Sequence, residues 1–112
     1  MQEVILWTGA GQIGMAIARR VGYGKKIVVG DKSIENAQKI ATIMNEAGFD
    51  VEPIVCDISS RESILNLIAV GQKYGEIAML INSAGVSPSA GTAPSSAGVS
   101  SLAIVFIIFF SL

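Results

Sequence analysis

Two periodicities alternate along the chain. Val4 to Trp7 is an apolar run bounded by polar residues, the pattern of a strand buried on both faces. A glycine-rich turn, Gly9 to Gly14, follows. Ile13, Ala16, Ile17 and Val21 then recur at helical spacing, with Arg19 and Arg20 turned away and Gly22 and Gly24 as the stop. Ile27 to Val29 predicts a second buried strand that ends in Gly30 and Asp31. Ser33 is placed to cap the next helix, with Glu35 in its first turn to complement the helix dipole. Ile34, Ala37, Ile40, Ala41 and Met44 form that helix's apolar stripe, and Gly48 is its C-terminal stop.

Val51 to Val55 predicts a third strand, interrupted by Pro53. Proline cannot donate to a sheet ladder, so this strand belongs at an edge. Ser59 and Glu62 read as a capping box for a third helix through Ile64, Leu65 and Ile68, ended by Gly75. Ala78 to Ile81 is the fourth strand, leading into Asn82. With right-handed crossovers, this alternation gives an α/β fold, a Rossmann-type three-layer sandwich on a parallel sheet of about four strands. The doubly wound order 3-2-1-4 makes the third strand the edge, in agreement with Pro53.

Charge divides the chain. Eight basic and nine acidic residues give a net charge of -1, which offers no argument for nucleic acid or an anionic membrane surface. All of them lie at or before Glu76. The one cysteine, Cys56, and the absence of histidine exclude a disulfide staple within the chain and Cys/His metal sites, and the default compartment is a reducing cytoplasm. No signal-peptide pattern stands at the start, where Glu3 takes the place of a basic region.

The uncharged end reads in two pieces. Ser87 to Ser101 has the Ser, Ala, Gly and Pro content of a linker, and Leu102 to Phe110 is nine apolar residues in a row. The division expected is a nucleotide-binding half-domain over residues 1–89 and a linker with apolar tail over 90–112. Ala97 to Leu112, counted generously, is sixteen residues, short of the ~20 that a membrane span needs. The alternatives for the tail are a truncated or frame-shifted product, a membrane anchor, or a segment that covers a sheet edge. Ile104 to Phe110, rich in β-branched and aromatic residues, suits a strand. It could add to the fourth strand of its own chain or of a neighbour, the second giving a homo-oligomer.

The chemistry is concentrated at the strand ends. Gly9, Gly11 and Gly14, with Gln12 and Ile13 between them, form a G-x-G-x-x-G run after a strand and at the opening of a helix, with Asp31 twenty residues beyond Gly11. Gly9 permits the tight turn. Gly11 lets a pyrophosphate approach the backbone, and Gly14 lets helix and strand pack closely. The N–H groups at the helix start then face the phosphates. A carboxylate at Asp31 can accept both hydroxyls of an adenosine ribose and repels a 2′-phosphate, which favours NAD over NADP; Lys32 works against that preference.

Thr8-Gly9, Cys56-Asp57-Ile58 and Asn82-Ser83-Ala84-Gly85-Val86 together resemble the short-chain dehydrogenase/reductase family over about residues 3–88. The resemblance implies that Asp57, beside Ile58, contacts the adenine. It also implies that Asn82, Ala84 and Gly85 lie beside the adenine ribose. The chain departs from the family in its tighter glycine motif, where Thr-Gly-x-x-x-Gly-x-Gly is usual, and in Ser83, where a second Asn is usual. The family's catalysis uses a Ser and a Tyr-x-x-x-Lys pair, whose Lys lowers the tyrosine pKa. Tyr23 and Tyr74 have no lysine at that spacing, and Ser87 and Ser89 come too early for the catalytic serine. No catalytic residue is assigned. The expectation is the cofactor-binding part of an NAD(P)-dependent oxidoreductase, with a non-catalytic nucleotide-binding module or an inactive truncated product as the alternative.

Overall fold

The computed structural model describes residues 2–83 and the backbone of residues 106–109. Its elements are β1 (Glu3–Thr8), α1 (Gln12–Val21), β2 (Lys26–Asp31), α2 (Ile34–Glu46), β3 (Asp50–Val55), α3 (Arg61–Tyr74), β4 (Glu76–Asn82) and β5 (Phe106–Phe109). The sheet order is β3-β2-β1-β4-β5. The first four strands are parallel, as the sequence predicts. Pro53 stands on β3, the outer strand, where its missing N–H costs no ladder bond.

Both faces of the sheet are apolar because β1 alternates two buried sets. Ile5 and Trp7 face α1 and α2, where they meet Ala18, Ala37, Ile40, Ala41 and Met44. Val4 and Leu6 face α3 and pack with Val28, Cys56 and Leu67. Small residues set two close approaches, of α3 to β1 and of the turn after β3 to β2. A Cβ at Gly71 of α3 would lie 2.6 Å from Leu6 Cδ2, and one at Gly30 of β2 would lie 2.6 Å from Cys56 Cβ.

Three expectations shift. In α1 the fully buried residues are Gly14 and Ala18, and Ile17 and Val21 pack half-buried against the same core as predicted, while Ala16 is exposed and Ile13 is 52% exposed at the helix start. The apolar pattern misleads there because close packing selects small residues. The cap of α3 is Ser60, whose Oγ accepts the Ser63 N–H at 3.2 Å. Ser59 is instead held by Asp57, which accepts its N–H at 2.9 Å and its hydroxyl at 2.6 Å. The buried residues of α3 are Leu67 and Gly71, with Leu65 54% exposed.

The fourth strand also gains a neighbour. β5 pairs antiparallel with β4, Met79 opposite Phe109 and Asn82 opposite Phe106. The apolar run thus supplies a strand to its own sheet, at the edge that a four-stranded sheet would leave open. The linker expected before it falls outside the described residues.

Between α3 and β4 runs a groove of about 1090 Å³ lined by Ile64, Leu67, Ile68, Ile77 and Leu80. It reaches the sheet's C-terminal edge at Thr8, Ile58 and Asn82. Among the described residues, no helix is long and apolar enough to cross a membrane, and no group of three or more His, Cys, Asp or Glu could hold a metal.

Candidate functional site

Parallel strands end at one edge, and the candidate residues gather there because each follows a strand. Thr8 is in register with both Gly30 and Asn82, and Asp31 with Val55. The glycine loop, Asp31, Asp57 and Asn82 therefore leave four adjacent strands side by side.

The glycine loop is built as its sequence demands. Gly9 has φ +84°, a left-handed conformation that other residues adopt at a cost. Its N–H donates to Gly30 O at 2.9 Å, and the Gly11 N–H donates back to Gly9 O at 2.8 Å. Gly11 is the N-cap of α1 in an extended conformation, and a Cβ built on it meets no atom within 4 Å. Gly14 is the opposite case, since a Cβ there would lie 2.8 Å from Trp7 Cε2 and would also run into Trp7 Nε1 and Ser83 Oγ. One glycine leaves space outside the protein; the other fills none inside it.

The start of α1 is left uncapped. Its first intrahelical bond runs from Met15 N to Gly11 O at 3.0 Å, and no side chain caps the helix. The N–H groups of Gln12, Ile13 and Gly14 precede that bond, so the helix itself does not use them. Ser33 caps α2 and Ser60 caps α3. Gln12 and Ile13 are exposed at this open end.

Asp31 is fixed from two sides. Its Oδ1 accepts the Ala10 N–H of the glycine loop at 3.0 Å, and its Oδ2 accepts the Ser33 N–H at 2.9 Å. Asn36 Nδ2 completes the tie by donating to Ala10 O at 3.3 Å. A carboxylate has about four acceptor positions, so two bonds leave room for two hydroxyl donors. Lys32, next in the chain, is exposed.

Asp57 is half-buried at the start of the β3–α3 turn. The Ser59 hydroxyl, then the Ser59 N–H, hold its carboxyl below the ordinary range, and the positive charge of Lys32 adds to this. Ile58 beside it is exposed at the mouth of the groove. Asn82 Oδ1 accepts the Thr8 hydroxyl at 2.8 Å. Ala84 and Gly85 lie outside the described residues.

The motifs did not assign a role to the residues that hold this edge together: Ala10, Ser33 and Asn36 around Asp31, and Trp7 and Ser83 beneath the glycine loop, Ser83 being noted only as a departure from the family motif. Ser33 was legible only as a cap. The tyrosines are elsewhere. Tyr74 bonds Glu52 through its hydroxyl, with Lys26 Nζ 4.3 Å from its ring centroid. Tyr23 stacks edge-on against Phe49.

The model of the short chain dehydrogenase family matches residues 3–101. A short-chain dehydrogenase/reductase of Alternaria brassicicola is 38% identical over 91 residues, covering 81% of this chain and 33% of the relative. A 7α-hydroxysteroid dehydrogenase of Bacteroides fragilis is 37% identical over 86 residues, 74% of this chain and 33% of the relative. Among solved structures, a variant of actinorhodin polyketide ketoreductase with NADPH superposes with a TM-score of 0.70 at 34% identity, over 82% of this chain and 38% of that one. NAD⁺-bound xylitol dehydrogenase gives 0.62 at 32% identity, over 70% and 31%. The chain spans about a third of the length of the curated relatives it matches.

Proposed function

The chain belongs to the short chain dehydrogenase family, and on that premise we propose that its C-terminal sheet edge binds a nicotinamide dinucleotide, NAD in preference to NADP. One arrangement carries the reading. The Asp31 carboxylate, oriented by the Ala10 and Ser33 N–H groups, stands across the glycine loop from the uncapped start of α1. The spacing suits an adenosine ribose at Asp31 and a pyrophosphate over Gly11, toward the N–H groups of Gln12, Ile13 and Gly14. By the family resemblance, Asp57, with Ile58 beside it, would contact the adenine, and Asn82, Ala84 and Gly85 would serve the adenine ribose. The open space where a Gly11 Cβ would stand fits a group that must approach the backbone.

When bound, the cofactor would supply hydride transfer to or from a carbonyl or alcohol. The residues here would bind and orient it. The preference for NAD follows from charge: a 2′-phosphate beside Asp31 sets like charges together, and Lys32 offsets only part of this. Titration of the purified chain with NADH and NADPH tests the assignment. NADH should bind more tightly, and Asp31→Ala should narrow the gap. Tighter NADPH binding would refute the preference, and no binding of either would refute the site.

A second reading, a nucleotide-binding module without turnover, is favoured by a sequence fact. Neither Tyr23 nor Tyr74 has a lysine four residues on. The 112-residue chain should then convert no alcohol or ketone with NAD(H), followed at the nicotinamide absorbance. Turnover that copurifies with the chain would refute it. A single cysteine, with no second one to pair with in the chain, accords with a reducing cytoplasm.

A further inference from the structure

Beneath the glycine loop lies a hydrogen-bonded cluster that the dinucleotide reading has not used. Trp7 is fully buried at the end of β1, and Ser83 is half-buried just past β4. The Ser83 hydroxyl donates to Gly9 O at 2.6 Å and lies 3.3 Å from Thr8 O. The Trp7 indole N–H is shared between Gly9 O at 3.1 Å and Ser83 Oγ at 3.2 Å. The Ser83 N–H donates to Thr8 O at 2.9 Å, extending the β4–β1 ladder to this point. With the Gly11 N–H, three donors converge on the Gly9 carbonyl.

Such convergence has a geometric consequence. A carbonyl held inward by Trp7 and Ser83 fixes the peptide plane between Gly9 and Ala10. That plane aims the Ala10 N–H at Asp31. It also sets where Gly11, and with it the start of α1, stands. Gly14 closes the cluster from above, because its missing Cβ is what lets the helix rest on the indole and on Ser83 Oγ.

We infer that Ser83, with Trp7, is a positioning residue for pyrophosphate recognition. Its hydroxyl fixes the Gly9 carbonyl so that the first N–H groups of α1 face the bound phosphates. The inference rests on the dinucleotide reading above and assigns Ser83 a task inside it. Ser83 touches the loop from below and does not touch the ligand. Its loss should therefore weaken ligands that reach the loop more than ligands that use Asp31 alone, because the Ser33 N–H still holds the other carboxylate oxygen of Asp31.

ADP and adenosine separate the two. Both engage Asp31 and the adenine contacts, and only ADP brings phosphates to the glycine loop. In Ser83→Ala, the Kd for ADP should rise about threefold to tenfold, the range for one lost hydrogen bond, while the Kd for adenosine stays within about twofold. A merely structural role would weaken both ligands together, or neither. An unchanged ratio of the two Kd values in a cooperatively folded Ser83→Ala chain would overturn the inference and leave the dinucleotide reading standing. Failure of the unaltered chain to bind either ligand would overturn both.

Should Ser83→Ala lose its cooperative urea transition, the unaltered chain carries the test through its single tryptophan. Trp7 shares its indole hydrogen bond with Gly9 O, so its emission should change on adding ADP and not on adding adenosine. Equal response to both, or none to ADP, would overturn the inference.

Discussion

Gly11 and Gly14 belong to one motif and should fail in opposite ways. Gly11 sits at φ −130° and ψ −178°, a conformation open to any residue, with nothing within 4 Å of an added Cβ. Gly11→Ala gives up some N-cap preference, about 0.5–1 kcal/mol, and regains about 0.4–1 kcal/mol from a less flexible unfolded chain. Stability should stay within about 0.5 kcal/mol. Gly11→Val adds two methyl groups in the space that a pyrophosphate must enter. Even a tenfold weaker Kd, about 1.4 kcal/mol, would stand clear of that stability change.

Gly14→Ala is the reverse. Its methyl would meet Trp7 Cε2 at 2.8 Å, and Trp7 Nε1 and Ser83 Oγ as well. Overpacking costs about 1–3 kcal/mol, and alanine returns about 1 kcal/mol of helix propensity. The net is a loss of up to about 2 kcal/mol. Urea unfolding followed by circular dichroism reads the stabilities, and NADH fluorescence reads the affinities. Gly11→Val should bind poorly and fold well; Gly14→Ala should fold less stably. Gly11→Val with unaltered NADH affinity would show that the glycine run is a turn and nothing more. Gly14→Ala as stable as its parent would show that the packing on Trp7 is looser than the structure has it.

Two further outcomes follow from the fold. Cys56 is 2% exposed, and burial first, then the charges of Asp57 and Asp31, push its thiol up. Unfolding lets the thiol ionise earlier, so this group's contribution to stability falls as pH rises through the ordinary thiol range. At neutral pH a thiol reagent should label Cys56 only in urea; rapid labelling of the native chain would contradict the burial. Deleting residues 102–112 removes β5 and uncovers the β4 edge, which should raise self-association measured by light scattering. A deletion chain as monomeric as its parent and more soluble would show that the strand protects nothing.

Periodicity carried the sequence reading where burial is two-sided and failed where packing is tight. The runs at Val4 and Ile27 mark strands covered on both faces, and the run at Ala78 marks one whose second face is half-buried along the groove. Pro53 marked the edge because proline lacks an N–H. The stripe of α1 is legible in part: Ile17 and Val21 pack on the core, but the fully buried contacts are Gly14 and Ala18, whose lack of bulk is what the contact requires. The cap of α3 was misread by one residue because Ser59 has a nearer partner in Asp57 than the helix end. The site's outline was legible through glycine, Asp31 and the strand ends. The braces were not. Nothing in the spacing of Trp7 and Ser83, 76 positions apart, tells that one donates to the other.

The strand beyond β4 runs against its neighbours. A parallel strand beyond β4 would need a crossover of a dozen or more residues, and the right-handed rule would send it over the face that α3 covers. An antiparallel strand has no such requirement, and β5 takes that arrangement, with Phe106 opposite Asn82. The two edges of the sheet are then unlike. β3 carries Asp50, Glu52 and Pro53, residues that discourage further pairing, whereas the Phe-Ile-Ile-Phe sequence of β5 carries no charge. Among the described residues, the hydrogen bonds that shape the glycine loop, from Trp7, Gly11 and Ser83 to Gly9 O, from Gly9 to Gly30 and from Ala10 to Asp31, join positions 7–83. Phosphate recognition should therefore depend on the first four strands and be indifferent to which strand lies beside the fourth. ADP affinity in the chain lacking residues 102–112, measured at a concentration where that chain is monomeric, should match that of the full chain within about twofold, well under the 1.4 kcal/mol that a tenfold change represents. A larger loss would mean that β5 holds the loop in place through β4.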